Sequence, residues 1–213
     1  MSESAQTTDF HALQLWSGTL FSGRHIRFRE LQDADLPELC SWWNNPFQSV
    51  LQQERTTLRP PEALASMFAA WSKNDAPSGF GYSIIDADGA LAGHVSAWGL
   101  SVPERIATMA IIIGPDFQGR GIGREALQLA LRLAFDELGA HKVELQTWSY
   151  NDRAIRLYSS LGFTIEGCRR AAVFHRGSFQ DQILMGLLAE EYRAAPEPDD
   201  VGASTNQQEE TAS

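Results

Sequence analysis

The sequence predicts an α/β protein, and three observations carry that prediction. Stretches of alternating apolar and polar residues follow one another in the first half, the signature of an antiparallel meander. A glycine-rich turn then joins an apolar strand directly to an amphipathic helix. Beyond it the order is strand, helix and two closing strands around a short turn. With 213 residues, 43% of them hydrophobic, the chain has material for one substantial core.

Each element has its own warrant. The opening "MSESAQTTDFHA" is polar, without the basic and apolar regions of a secretory leader, so residues 1–18 are expected to form a flexible segment of a cytoplasmic protein. "RHIRFREL" alternates as a half-buried strand does. "DADLPELCSWWNN" opens on capping acids, carries Pro37 in its first turn and runs out at Asn45-Pro46, which predicts a helix. "PPEALASMFAAW" predicts a second helix. "FGYSIID" and "LAGHVSAWGL", joined through Asp88-Gly89, predict a hairpin. A third strand, residues 105–113, leads into "GPDFQGRGIGRE". The helix behind that turn keeps Ile122, Ala126, Leu129, Ala130 and Leu133 on one face and ends near Gly139. "KVELQTW" follows as a strand, "DRAIRLYSSLG" as a helix closed by Gly162, and "FTIEGCRRAAVFHRGSFQDQILMGLL" as two strands around "RGS".

Composition excludes several partners. Of the net charge of −10, half lies in residues 194–213, which hold five acids and no Lys or Arg and are expected as a disordered acidic tail. The body, residues 19–193, is expected as one domain; it has no basic stripe, which argues against nucleic acid. No window is long and apolar enough to span a membrane. Cys40 and Cys168 stand outside any zinc-ligand spacing and are expected as buried free thiols, with no metal site.

"GPDFQGRGIGRE" puts four glycines into twelve residues between a strand and a helix start, an outline shared by three kinds of phosphate site. As a nucleoside-triphosphate loop it fails where the chemistry lies: Arg120 replaces the phosphate-reaching lysine and Gly121 the magnesium-holding hydroxyl. As a dinucleotide fingerprint it fails at Arg124, where glycine or alanine belongs. What remains is Gln118-Gly119-Arg120-Gly121-Ile122-Gly123, a Q-x-x-G-x-G arrangement whose glycines let backbone approach a pyrophosphate and whose first helical turn aims free N–H groups at it. Arg120 and Arg124 add positive charge.

Downstream, "NDRAIRLYSSLGF", with Asn151, Ala154, Leu157, Tyr158, Gly162 and Phe163, resembles the second signature of the GNAT N-acetyltransferase superfamily. The flanks "LFSGRHIRFRELQDADLPELCSWWNNP" and "GFTIEGCRRAAVFHRGSFQDQILMGLLAEEY" resemble the start and end of its RimJ/RimL-type branch. Over residues 20–193 the resemblance implies a GNAT fold: a mixed sheet of about seven strands, splayed around acetyl-CoA and flanked by about four helices. It implies acetyl transfer from acetyl-CoA to a primary amine by direct attack in a ternary complex, the acceptor a protein N-terminal α-amine or a small amine such as a polyamine, amino sugar or antibiotic. A homodimer is a further implication.

The same resemblance distributes roles. Gln118, Gly119, Arg120, Gly121, Ile122, Gly123 and Arg124 would hold the pyrophosphate of coenzyme A. The pantetheine arm would lie along Ile111 and Ile113, where the family has a bulge, and would meet Asn151 and Ala154; Asn151 serves equally as a plain helix N-cap. Tyr158 falls at the position of the general acid, a phenol that can protonate a departing thiolate. The expected base is missing: Thr108 in "ATMAII" occupies the place where many relatives have Glu, leaving Glu104, His94 or water. At pH 7 an α-amine of pKa about 7.8 is roughly a tenth to a fifth neutral, whereas an amine of pKa about 10.4 is neutral about four times in ten thousand. A site without a base therefore suits a low-pKa amine. Thr108 also supports an alternative, a catalytically weak acyl-CoA-binding or sensory domain, which Tyr158 opposes.

Overall fold

A computed structural model describes residues 9–194; the acidic tail expected at 194–213 lies, Ala194 apart, outside the described residues. One seven-stranded sheet organises them, in the order β1-β2-β3-β4-β5-β7-β6. β1 (Ile26–Arg29), β2 (Phe80–Asp86), β3 (Leu91–Trp98) and β4 (Ile106–Ile113) form the antiparallel meander. β5 (Lys142–Trp148) then pairs parallel to β4, which requires a crossover, supplied by α5 (Ile122–Arg132). α6 (Asp152–Ser159) leads to the hairpin of β6 (Thr164–His175) and β7 (Ser178–Leu188), and β7 is the strand that inserts beside β5.

Two packed layers hold the sheet. On one face, α5 buries Ile122, Ala126, Leu127, Leu129, Ala130 and Leu131 against Val95, Ala107, Val143 and Met185. Each large side chain so buried contributes about 1.5–3 kcal/mol. The helix ends through a wide turn, Leu133–Glu137, before Gly139 takes φ 65°. On the other face α2 (Leu36–Trp43) and α4 (Pro61–Trp71) place Leu39, Trp42 and Phe68 on Ile112 of β4.

Seven helices are present among the described residues where about four were expected. α1 (Phe10–Thr19) falls on part of the segment expected to be flexible; Asp9 caps it by accepting from the N–H groups of His11 and Ala12. It buries no residue, and Arg132 ties it down by donating to the Thr19 carbonyl. α3 (Pro46–Gln52) begins where a helix was expected to stop, because the Asn45 side chain accepts from the N–H groups of Phe47 and Gln48 and Pro46 sits in the first turn. α7 (Ala189–Ala194) is the last element of the described residues. Both cysteines are free, but only Cys40 is buried; Cys168 lies exposed on β6.

Candidate active site

The site begins where β4 and β5 part. They are in register only through Ile106↔Lys142, Ala107↔Val143 and Thr108↔Glu144; beyond Thr108 the two strands diverge. Hydrogen-bond parity identifies which backbone groups face the gap. Gly114 N–H donates to the Ala92 carbonyl, so the even residues of β4 bond to β3 and the odd ones, Met109, Ile111 and Ile113, turn theirs toward the splay. Ser149 N–H donates to Asp181 and Ala189 N–H to His141, which by the same parity turns Gln146 and Trp148 toward the gap from β5. The bulge expected in β4 is absent, since its register with β3 runs unbroken from Trp98↔Thr108 to Gly93↔Ile113. Divergence of the strands does what a bulge was expected to do. Ile113 is partly occupied: its carbonyl accepts from Gln48 Nε2 at 2.8 Å and from Gln118 Nε2 at 3.1 Å.

At the top of the splay the glycine-rich turn leaves a row of donors. Gln118 N–H is bonded to Pro115, and Arg124 and Glu125 N–H to Gly121, while residues 119–123 between them have no backbone acceptor among the described residues. Gly119 at φ 76° and Gly121 at φ 84° sit in the left-handed region, and an added Cβ at either would meet nothing, so conformation rather than space requires glycine there. Five uncommitted N–H groups at the positive end of α5 fit a pyrophosphate. Gln118, Gly119, Gly121, Gly123 and Arg124 line the cavity. Two expected contributors do not: the Arg120 guanidinium lies over the Phe117 ring, 5.4 Å from its centroid, and the Ile122 side chain is in the core, leaving only its N–H. Arg124 is anchored on Ser160, and Arg153, which sequence reasoning missed, enters the cavity wall while donating to Gln118 Oε1 at 2.7 Å.

Asn151 and Tyr158 stand on α6. The Asn151 side chain accepts from Ala154 N–H at 3.2 Å, a helix cap, and both residues also border the cavity. Tyr158 lines it too, and burial pushes its phenol up to about 12. It is therefore protonated throughout the physiological range.

The lower part of the cavity, about 590 Å³ in all, is walled by Trp43, Phe68, Trp71 and Trp98, with Glu54 its single lining carboxylate among the described residues. Of the two expected bases, Glu104 must be set aside: it is exposed in the turn before β4 and lines no part of the cavity. His94 borders the cavity but is 2% exposed, with Nε2 2.7 Å from Ser72 Oγ and Phe68 against its ring. Burial lowers its pKa to about 4, partly opposed by Asp35, so it is neutral at pH 7 and a poor proton acceptor. Asp181 accepts from Ala171 N–H at 2.8 Å in the irregular part of β6, a structural task. Trp42 packs against Gly114 in the core, whereas Trp43 faces the cavity. Gln48, Glu54 and Trp98 were not anticipated; the Asn-Pro start of α3 was the signal that could have found Gln48. No group of His, Cys, Asp and Glu among the described residues could hold a metal ion.

A family model for the acetyltransferase (GNAT) domain matches residues 25–164. The chain belongs to the GNAT acetyltransferases. It is 28% identical over 173 residues to the spermidine N(1)-acetyltransferase of Escherichia coli K12, covering 81% of this chain and 91% of that one. Among solved structures, the spermidine N-acetyltransferase from Vibrio cholerae in complex with CoA and spermine superposes with a TM-score of 0.71 at 27% identity, over 79% of this chain and 98% of that one. A dodecameric structure of the Vibrio cholerae enzyme in an intermediate state gives a TM-score of 0.66 at 26% identity, over 80% and 98%. This GNAT chain is accordingly an N-acetyltransferase whose acyl donor is acetyl-CoA, and the loop amides and open strand edges are of the kind that ligand needs.

Proposed function

We propose that this GNAT acetyltransferase transfers acetyl to the primary amine of a small molecule by direct attack within a ternary complex, with polyamines as the leading acceptor class. The observation that carries this reading is the cavity, which runs from the free loop amides, past Tyr158, to tryptophan walls and one carboxylate. Tryptophan faces attract ammonium groups, and Glu54 adds a charge for an amine remote from the reacting one. The likeness to spermidine N-acetyltransferases supports the same class.

Within that reading the loop amides and Arg124 hold the pyrophosphate, and Ile111 offers backbone groups to the pantetheine arm. Asn151 keeps its amide N–H groups for the arm while its oxygen caps α6. Tyr158 is the acid. A phenol near 12 gives its proton uphill to a free thiol of ordinary pKa near 8.5, but the buried surroundings that raise the phenol raise a neighbouring thiolate as well, narrowing the gap. The flanking sequences support the RimJ/RimL-type branch, use of acetyl-CoA supports a cytoplasmic setting, and the exposed apolar residues of α1, Phe10, Leu15 and Trp16 among them, support assembly of copies into at least a homodimer.

Initial rates of coenzyme A thiol release test the reading, with acetyl-CoA and amine both varied. The expected result is intersecting reciprocal plots with spermidine or spermine and slower release with peptides bearing a free N-terminus. Release with peptides alone overturns the acceptor class, and acetyl-CoA binding without release on any amine overturns the transferase reading.

A further inference from the structure

Resting on the acetyl-transfer reading above, the geometry points to Glu144 as the carboxylate that Thr108 lacks: the base has moved one strand sideways, and Thr108 connects it to the cavity. Thr108 and Glu144 are the last registered pair before β4 and β5 diverge, so they stand at the apex of the splay. Directly paired residues point to the same face of a sheet. Trp98, Thr108, Glu144 and Gly186 therefore form one lateral row across β3, β4, β5 and β7. Trp98 and Thr108 line the cavity; Glu144 does not and touches its contents only through its neighbour. The contact exists: Thr108 Oγ1 donates to Glu144 Oε1 at 3.3 Å. That is long for a hydroxyl-to-carboxylate bond, as catalytic hydrogen bonds commonly are before substrate is bound.

Among the described residues the Glu144 side chain accepts from Thr108 alone and is paired with no cation. Lys142, the nearest cation on its own strand, is held by Glu166 of β6 at 2.5 Å, and this pair covers Gly186, the β7 partner of Glu144. β4 carries no charged residue, β3 has only His94 as an ionisable group, and α3, packed over β5, is uncharged. Glu54 is the other carboxylate near the acceptor end, and it lines the cavity directly.

An ammonium donor in the cavity gives a proton to Thr108 Oγ1 as the Thr108 hydroxyl hydrogen passes to Glu144 Oε1, so Thr108 is never charged. The freed nitrogen lone pair forms the C–N bond, the C–S bond breaks, and the Tyr158 hydrogen goes to sulfur. The second proton lost by nitrogen restores Tyr158, and Glu144 releases the first to water. Thr108 is thus the group that meets substrate, and Glu144 is its positioning and proton-accepting partner.

Glu144→Gln keeps an acceptor for the Thr108 hydroxyl and removes only the basicity. With spermidine as probe, it lowers kcat about 100-fold near pH 7, and the loss shrinks toward about pH 10, where the amine is itself neutral. The acetyl-CoA dissociation constant stays unchanged. Thr108→Val gives the same profile, the double variant is no worse than either single one, and Thr108→Glu placed in the Glu144→Gln background recovers at least about tenfold. Glu54→Gln alters KM and leaves the shape of the profile. Wild-type turnover in Glu144→Gln across this range, or a flattened profile in Glu54→Gln instead, overturns the relay. A wild-type protein that releases no thiol with any amine fails at the earlier reading, so the two failures are told apart.

Discussion

Thr108 shows how far a single residue can be read and where reading stops. Its identity declared that a carboxylate was missing from β4, but a neighbour 36 positions on, brought beside it by parallel pairing, cannot be inferred from local periodicity. Tyr158 and the loop glycines line the cavity at the positions the sequence suggested, because a helix face and a backbone conformation are set locally. Tyr158→Phe should lower kcat by about 100-fold or more while the acetyl-CoA dissociation constant, measured by titration calorimetry, changes less than about twofold. Gly121→Ala forces a side chain into φ 84° at about 1–2 kcal/mol, and should weaken acetyl-CoA binding about tenfold by pulling the first N–H groups of α5 out of line.

Among elements, β1 and α5 announced themselves because each has one face in the core, whereas β2 and β3 are buried on both faces and β6 is mostly exposed. "KVELQTW" coincides with β5, Lys142–Trp148. α3 is hidden by an ambiguous signal: Asn45-Pro46 reads as a helix stop, whereas the same pair caps and opens the next helix. That helix matters to the site because Gln48, 3% exposed, holds the Ile113 carbonyl. α4 matters through Phe68, which is fully buried and touches Trp43, Trp71 and His94 edge-on, so it backs most of the acceptor wall. Phe68→Ala should cost about 3–5 kcal/mol in denaturant unfolding and raise the amine KM, with acetyl-CoA binding little changed.

At the scale of the whole molecule, the succession of elements along the chain followed from sequence, but the place of β7 between β5 and β6 did not, nor did the depth of the splay, which depends on where β7 holds β5. Neither did the burial of His94, which couples stability to pH. Its pKa falls from 6.5 in the unfolded chain to about 4 in the fold, so below 6.5 the unfolded state binds the extra proton. The stabilisation is present above about pH 6.5, declines as pH falls and is lost below about pH 4, a change of about 3 kcal/mol. Asp35, which burial pushes up but bonds from Arg29, the Gln32 N–H and Ser83 together bring below its ordinary value, adds a loss of the same sign at still lower pH. Unfolding free energies measured across this window should fall in the wild type and fall less in His94→Gln.

The central claim is that a thioester held on the loop amides is attacked by a small amine in the splay. A mass-shift screen of a mixed amine panel, incubated with the protein and acetyl-CoA, tests it most directly. The account predicts one acetyl group added to a small primary amine, with polyamines foremost, and no stable acetyl adduct on the protein. A panel left unmodified while acetyl-CoA binds, or an acetylated protein that passes its acetyl on, would contradict it.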